Sequence, residues 1–361
     1  MYDAPLRFAM PNDRLPAFND SREVNLHGQR ALYELAYARY RDPAYLSLLA
    51  SGPRESELAV WFGEPRLPEP PERRWSSANY PDSGYGILSF GTGTSATWLC
   101  LKYGPHGGGH GHPDKLNFVL YADGGLIAPD PGTARYGHPL QGGWYRATVA
   151  HNTLVVDEEN QQPATGRDLL FETTPEYTLL RADAGEIHPE VRFQRTVALI
   201  GAHTIVIEDV VRSEEEHRYD IAYHQLGEWV ELPAGDPWSP PERPGYRYFR
   251  DATVRQASGG ELVVLRGRVE EDRYATVSLL AEEPTEVITA TGIGEHLEDR
   301  VPLVLFRRRA RSTRYLWAIS LDFRPVELKR APDDSVLIVT PEGASWRFSD
   351  GSLERQAEPT E

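Results

Sequence analysis

Leu116-Asn117-Phe118-Val119-Leu120-Tyr121-Ala122-Asp123-Gly124-Gly125 reads as a strand that runs directly into a hairpin turn. Phe118, Val119 and Tyr121 favour a pleated backbone, and Asp-Gly-Gly supplies the positive backbone angles a tight turn needs. The same texture extends outward in both directions. Gly86–Phe90 and Ala96–Tyr103 precede it. Thr153–Asp157, Thr196–Ile200, Thr204–Val210, Leu262–Arg268, Thr276–Leu280, Arg314–Leu321 and Val336–Val339 follow it. Short strands with no helical pattern between them predict a mainly β fold: a large sandwich of antiparallel sheets over residues 75–361. The charged tail after Ser352 predicts a frayed end.

The N-terminal stretch differs. Residues 1–63 read as helical, with Asp20-x-x-Glu23 resembling a capping box. Leu32, Leu35 and Ala36, flanked by Tyr33, Tyr37 and Tyr40, form an apolar stripe near 3.6 periodicity that stops at Asp42-Pro43. Shorter helices are predicted over Pro43–Ala50 and Arg54–Phe62. So little apolar surface hardly closes a domain, and these helices look like the end of a larger helical assembly. Residues 64–74 form a proline-rich connector to the sandwich.

Net charge is −16, which excludes nucleic acid and anionic membranes as general partners because both need a basic footprint. An acidic polysaccharide would need local positive charge, and two of the three lysines, Lys102 and Lys115, flank a histidine-rich segment. The single cysteine, Cys100, excludes an intrachain disulfide and any cysteine-based zinc site; its apolar surroundings predict a buried, inert thiol. No apolar run approaches the roughly 18 residues of a membrane span. The first residues lack the basic start and apolar core of a signal peptide, so compartment stays open.

Five of the 11 histidines (His106, His110, His112, His138 and His151) fall within residues 106–151. On an extended strand His110, His112 and Asp114 would share one face, and two neutral imidazoles with a carboxylate suit zinc. Gly107-Gly108-Gly109 permits unusual backbone angles or close approach of a ligand. Asp130, in Pro129-Asp-Pro-Gly132, and His151, in Ala150-His-Asn-Thr153, could close a three-ligand site. Each element also has a plain reading: an exposed histidine pair, an ordinary Asp-Pro-Gly turn, a loop cap. Their concentration in one segment favours a site.

These residues resemble a known family. Pro105-His-Gly-Gly-Gly-His-Gly-His-Pro-Asp-Lys-Leu116, then Asp130-Pro-Gly-Thr133, Trp144-Tyr-Arg-x-Thr148 and Ala150-His-Asn-Thr-Leu-Val-Val-Asp157 look like the heparinase II/III-like polysaccharide lyases, a group that includes oligoalginate lyases. Weaker likeness extends to Pro16-Ala-Phe-Asn-Asp-Ser21 and Tyr223-His-Gln-Leu-Gly227. The resemblance implies an (α/α) toroid packed on an antiparallel β-sandwich, with residues 1–63 as the toroid's end. It implies a structural zinc held by His112, Asp130 and His151, with Asp114 beside the ligands rather than among them. It places His110 as the catalytic group near the uronate carboxylate, with Arg146, Asn152 and Tyr145 as substrate-side polar groups. The implied partner is an acidic polysaccharide or oligosaccharide, with a homodimer left open. The family's base tyrosine and its partner histidine belong to toroid helices upstream of the part matching residues 16–21. The chain is therefore expected to be part of a longer lyase or a binding module without turnover.

Overall fold

The computed structural model describes residues 2–349 and 351–356. The predicted hairpin sits inside a five-stranded antiparallel meander: Ala78–Tyr80, Tyr85–Phe90, Thr97–Lys102, Asn117–Ala122 and Gly125–Ala128. Asp123 and Gly124 adopt φ of 48° and 87°, the left-handed pair that matches a hairpin to the twist of its strands. Alternation then splits the side chains between two faces. Leu88, Leu99, Leu101, Phe118 and Leu120 pack on a larger sheet through Leu180, Val197, Ile205 and Trp317. Ile87, Trp98, Cys100, Val119 and Tyr121 point the other way, onto Met10 and Phe18 of the N-terminal segment. Cys100 is wholly buried, and burial pushes its thiol pKa well up, as expected for an inert thiol.

The larger sheet has twelve strands. Its spine is a pair of 21-residue strands, Thr204–His224 and Arg300–Ser320. They run antiparallel from Thr204↔Ser320 to His224↔Leu303, with a register break between Arg212 and His217. The far face of this sheet, through Leu179, Val206 and Leu316, is covered by Ile338, Trp346 and Phe348 of a four-stranded sheet. The fold is thus mainly β with large antiparallel sheets, as the strand pattern predicts.

Several local expectations change. Ser352–Arg355, expected to fray, pairs with Ser345–Ser349 because Leu353 reaches the core under that sheet. Residues 357–361 of that tail lie outside the described residues. The strand expected at Arg314–Leu321 is only the second half of a much longer one. Arg307 and Arg308 hide the first half from an apolar pattern, yet both are buried and engaged, Arg307 on Asp220 and Arg308 on Thr313 and Arg314.

The helical segment contains Asp3–Phe8, Arg30–Tyr40, Leu46–Ala50 and Glu57–Phe62. Asp20 does not cap a helix. The first turn after it begins at Leu26, and its cap is Asn25, whose side chain accepts from the His27 amide. The buried stripe of Arg30–Tyr40 is Tyr33, Ala36 and Tyr37, joined by Tyr45, Leu46 and Leu49. Leu32 and Tyr40 face outward, so the helix is rotated from the expected stripe. The reason is Glu34: it turns inward to take a bidentate contact from Arg54 at 2.6 Å per bond.

Candidate functional site

The site forms where the loop after Thr97–Lys102 meets the N-terminal segment. Gly107 and Gly108 take φ of 90° and 65°, which wind Gly108–His110 into a single tight turn instead of a strand. A Cβ on Gly111 would lie 1.8 Å from the His106 carbonyl oxygen, so only glycine lets the loop fold back at that point. The consequence overturns the shared strand face. His110 keeps a side chain 76% exposed, whereas His112 and Asp114 are fully buried.

Asp20 organises the cluster. Its Oδ2 lies 3.1 Å from His110 Nδ1 and accepts the Tyr136 hydroxyl at 3.0 Å. Its Oδ1 lies 3.1 Å from His112 Nε2 and accepts from Gln141 Nε2 at 2.6 Å. Burial works to raise the pKa of this carboxyl, but the hydrogen bonds from His112, His110 and Tyr136 outweigh it and hold it at about 2. A carboxylate accepts only, so it fixes both tautomers: Nδ1–H on His110 and Nε2–H on His112. His110 therefore turns its Nε2 outward. Tyr136, exposed at the rim, keeps its proton: desolvation and the bond to Asp20 both raise its phenol pKa. Sequence reasoning missed Asp20 and Tyr136 as site residues. The weak likeness around Pro16–Ser21 was the one signal for Asp20.

Beneath them lies a buried pocket of ligand-type atoms. His151 Nδ1 is 3.2 Å from Asp130 Oδ2, and His151 Nε2 is 3.1 Å from the Tyr145 carbonyl oxygen. That carbonyl requires Nε2–H, which leaves a bare Nδ1 lone pair against a carboxylate oxygen. Two acceptors at that distance need a cation between them, a proton or a metal. Burial works against charge on His151, but Asp130 outweighs it and raises the imidazole pKa. The His112 ring stands edge-on, 5.4 Å from that of His151. Its Nδ1 is buried without a partner, and its pKa is pushed down to about 4, chiefly by desolvation. Among the described residues the buried group whose ligand atoms lie within 4.8 Å of one another is Asp114, Asp130 and His151, and His112 is not part of it. Asp114, however, spends both oxygens on Lys102 Nζ at 2.7 Å.

The remaining expected residues separate. Arg146 is partly exposed and donates to the Gly111 carbonyl at 2.8 Å, holding the loop under His110. Asn152 is fully buried: its amide donates to the Phe118 and Pro129 carbonyls, and its oxygen accepts from the His224 amide. Tyr145 is also buried, its hydroxyl donating to the Gly294 carbonyl at 3.0 Å. Both hold backbone together and face no cleft. Lys102 and Lys115 are buried too, so neither offers charge to a polyanion; desolvation lowers the Lys115 pKa to about 8.

The family model for the heparinase II/III-like C-terminal domain matches residues 72–356. The exo-oligoalginate lyase of Saccharophagus degradans is 32% identical over 177 residues, 42% of this chain and 24% of that protein. The heparin-sulfate lyase of Bacteroides stercoris is 22% identical over 212 residues, 57% of this chain and 30% of that protein. The crystal structure of heparan sulfate lyase HepC from Pedobacter heparinus superposes with a TM-score of 0.70 at 15% identity, over 98% of this chain and 51% of that one. At that identity the likeness shows the fold alone. The chain spans about half the length of that solved relative and less of the curated ones.

Proposed function

The chain belongs to the heparinase II/III-like family, and on that premise we propose that it is the sandwich part of a polysaccharide lyase acting by β-elimination on a uronate-containing glycan. In this reading residues 1–63 are the end of an (α/α) toroid, 64–74 the connector and 75–361 the sandwich. The observation that carries it is His110, an exposed imidazole whose orientation and tautomer are set from below by Asp20. β-Elimination removes the C5 proton, forms the C4–C5 double bond and expels the C4 oxygen, which takes up a proton. The C5 proton is poorly acidic beside a charged carboxylate, so groups that hydrogen-bond that carboxylate lower the barrier. In its imidazolium form His110 keeps Nδ1–H on Asp20 and donates Nε2–H to the uronate carboxylate, with Arg146 behind it and the Tyr136 hydroxyl as a protonated neighbour. We assign Tyr145 and Asn152 to holding the loop rather than the sugar. Alginate oligomers are the favoured substrate class, with glycosaminoglycans next.

The test is the ultraviolet absorbance of unsaturated uronate ends when the polypeptide containing this chain meets alginate and heparan sulfate oligosaccharides. Appearance of that absorbance supports the reading. Binding without it favours an acidic-glycan-binding module, and neither binding nor product rejects both.

The buried donor set fits a zinc ion held by His112, Asp130 and His151, because His112 Nδ1 and His151 Nδ1 are lone pairs without proton donors. Bound there, zinc would supply a structural cross-link and fixed positive charge under the loop. His151→Ala is expected to remove one equivalent of zinc by elemental analysis, and Asp114→Asn to retain it. The reverse pattern would transfer the ligand role to Asp114.

A further inference from the structure

We infer that Asp157, His188 and His217 form a second transition-metal site, of the zinc class, separate from the pocket described above. Three segments converge there: the turn after Leu154–Val156, the loop before Arg192–Ile200, and the register break of the long strand Thr204–His224. One ligand-type atom from each residue lies within 4.8 Å of the others. The His188 and His217 rings meet edge-on at 5.1 Å.

His188 Nδ1 is 2.8 Å from the Pro189 carbonyl oxygen, an acceptor, so it carries the ring proton and leaves Nε2 as a lone pair. His217 Nδ1 is 2.7 Å from Asp157 Oδ2, two groups that meet at that distance only with a proton or a metal ion between them. An ion would take the place of that proton, held by His217 Nδ1, Asp157 Oδ2 and His188 Nε2, and the His217 ring proton would move to Nε2. The other oxygen of Asp157 accepts the Arg218 amide at 2.8 Å, which fixes the carboxylate's orientation.

The backbone is shaped to reach this arrangement. Asp157 and Glu158 sit at φ of 51° and 62°, left-handed angles uncommon for residues other than glycine. The register break at Arg212/His217 turns His217 toward the same point. Two imidazoles and a carboxylate suit zinc, with water completing the coordination. An ion there would tie the turn, the loop and the bulged strand together.

The test titrates Zn²⁺ into the chain and compares it with His188→Ala and Asp157→Asn. Both residues lie toward the surface, and asparagine tolerates the left-handed backbone at 157. Circular dichroism checks that each variant folds. The chain is expected to bind one more equivalent of zinc than His188→Ala. Asp157→Asn is expected to weaken that equivalent about ten- to a hundredfold. The zinc-dependent rise in Tm contributed by this site is expected to vanish in His188→Ala. Equal stoichiometry, affinity and Tm response in all three proteins would overturn the inference.

Discussion

Lys102→Met is expected to destabilise the protein by about 3–5 kcal/mol, because it strands a buried carboxylate. Lys102 Nζ lies 2.7 Å from both oxygens of Asp114 and 2.5 Å from Asn19 Oδ1, with side-chain exposures of 3% for the lysine and 0% for Asp114. Burial tends to raise the Asp114 pKa, but the Lys102 charge outweighs it and holds the group down from its ordinary 3.8 to about 2. The sign follows. A folded pKa below the unfolded one means stability is fully present above about pH 4 and is lost as pH falls toward 2. Lys102→Met removes that acid-limb contribution. The double variant Lys102→Met/Asp114→Leu is expected to recover much of the loss, since a buried pair replaced on both sides leaves no orphan charge. Denaturant midpoints for the two singles and the double test this directly. Equal instability of Lys102→Met and the double variant would show that the pair is not the cause. The same lysine ties Asn19, next to Asp20, to the loop, so the ion pair also supports the site above it.

Much of the sandwich was legible because strand alternation and Asp-Gly turns are local signals. Leu88 and Ile87 are neighbours in sequence and lie on opposite faces of one sheet. The long strands were not legible, because charged residues within them are buried by pairing across strands: Arg307 reaches Asp220, 87 residues away, and Asp209 takes Arg195 of the neighbouring strand. Pattern reading scores such arginines as solvent-facing, whereas pairing lets them lie inside. At the site, the sequence displayed the histidines but not their division of labour. An i, i+2 spacing promises a common face only if the backbone is extended, and Gly107-Gly108 make it turn. Asp20 was harder still. It lies 90 residues from His110, in a stretch whose Asp-x-x-Glu spacing imitates a helix cap. Tyr145 and Asn152 show the converse: polar residues beside a site motif whose polar atoms serve the backbone.

On the proposed function, Asp20→Asn is expected to lower kcat/KM on uronate oligomers by roughly a hundredfold, the usual scale for a lost electrostatic stabiliser, while leaving the fold intact. The two oxygens of Asp20 do different jobs. Oδ1 takes the buried donors His112 Nε2 and Gln141 Nε2, whereas Oδ2 takes the exposed pair, His110 Nδ1 and the Tyr136 hydroxyl. An asparagine that keeps its oxygen on the buried side preserves the first set. It then presents N–H₂ to His110 Nδ1, whose other partner is the Tyr136 hydroxyl at 2.9 Å, a group that can donate or accept, so the ring's proton is no longer fixed. His110 would meet the substrate with neither tautomer fixed and without a carboxylate behind it. A positioning role of this kind predicts a fall in turnover with the melting temperature nearly unchanged. Tyr136→Phe, which removes one donor from Oδ2 but leaves Asp20 charged, should lose far less. A normal rate in Asp20→Asn would remove Asp20 from the mechanism. A lost rate together with a lowered Tm would assign it to structure alone. Only loss of rate in a protein of unchanged Tm supports a carboxylate that orients His110.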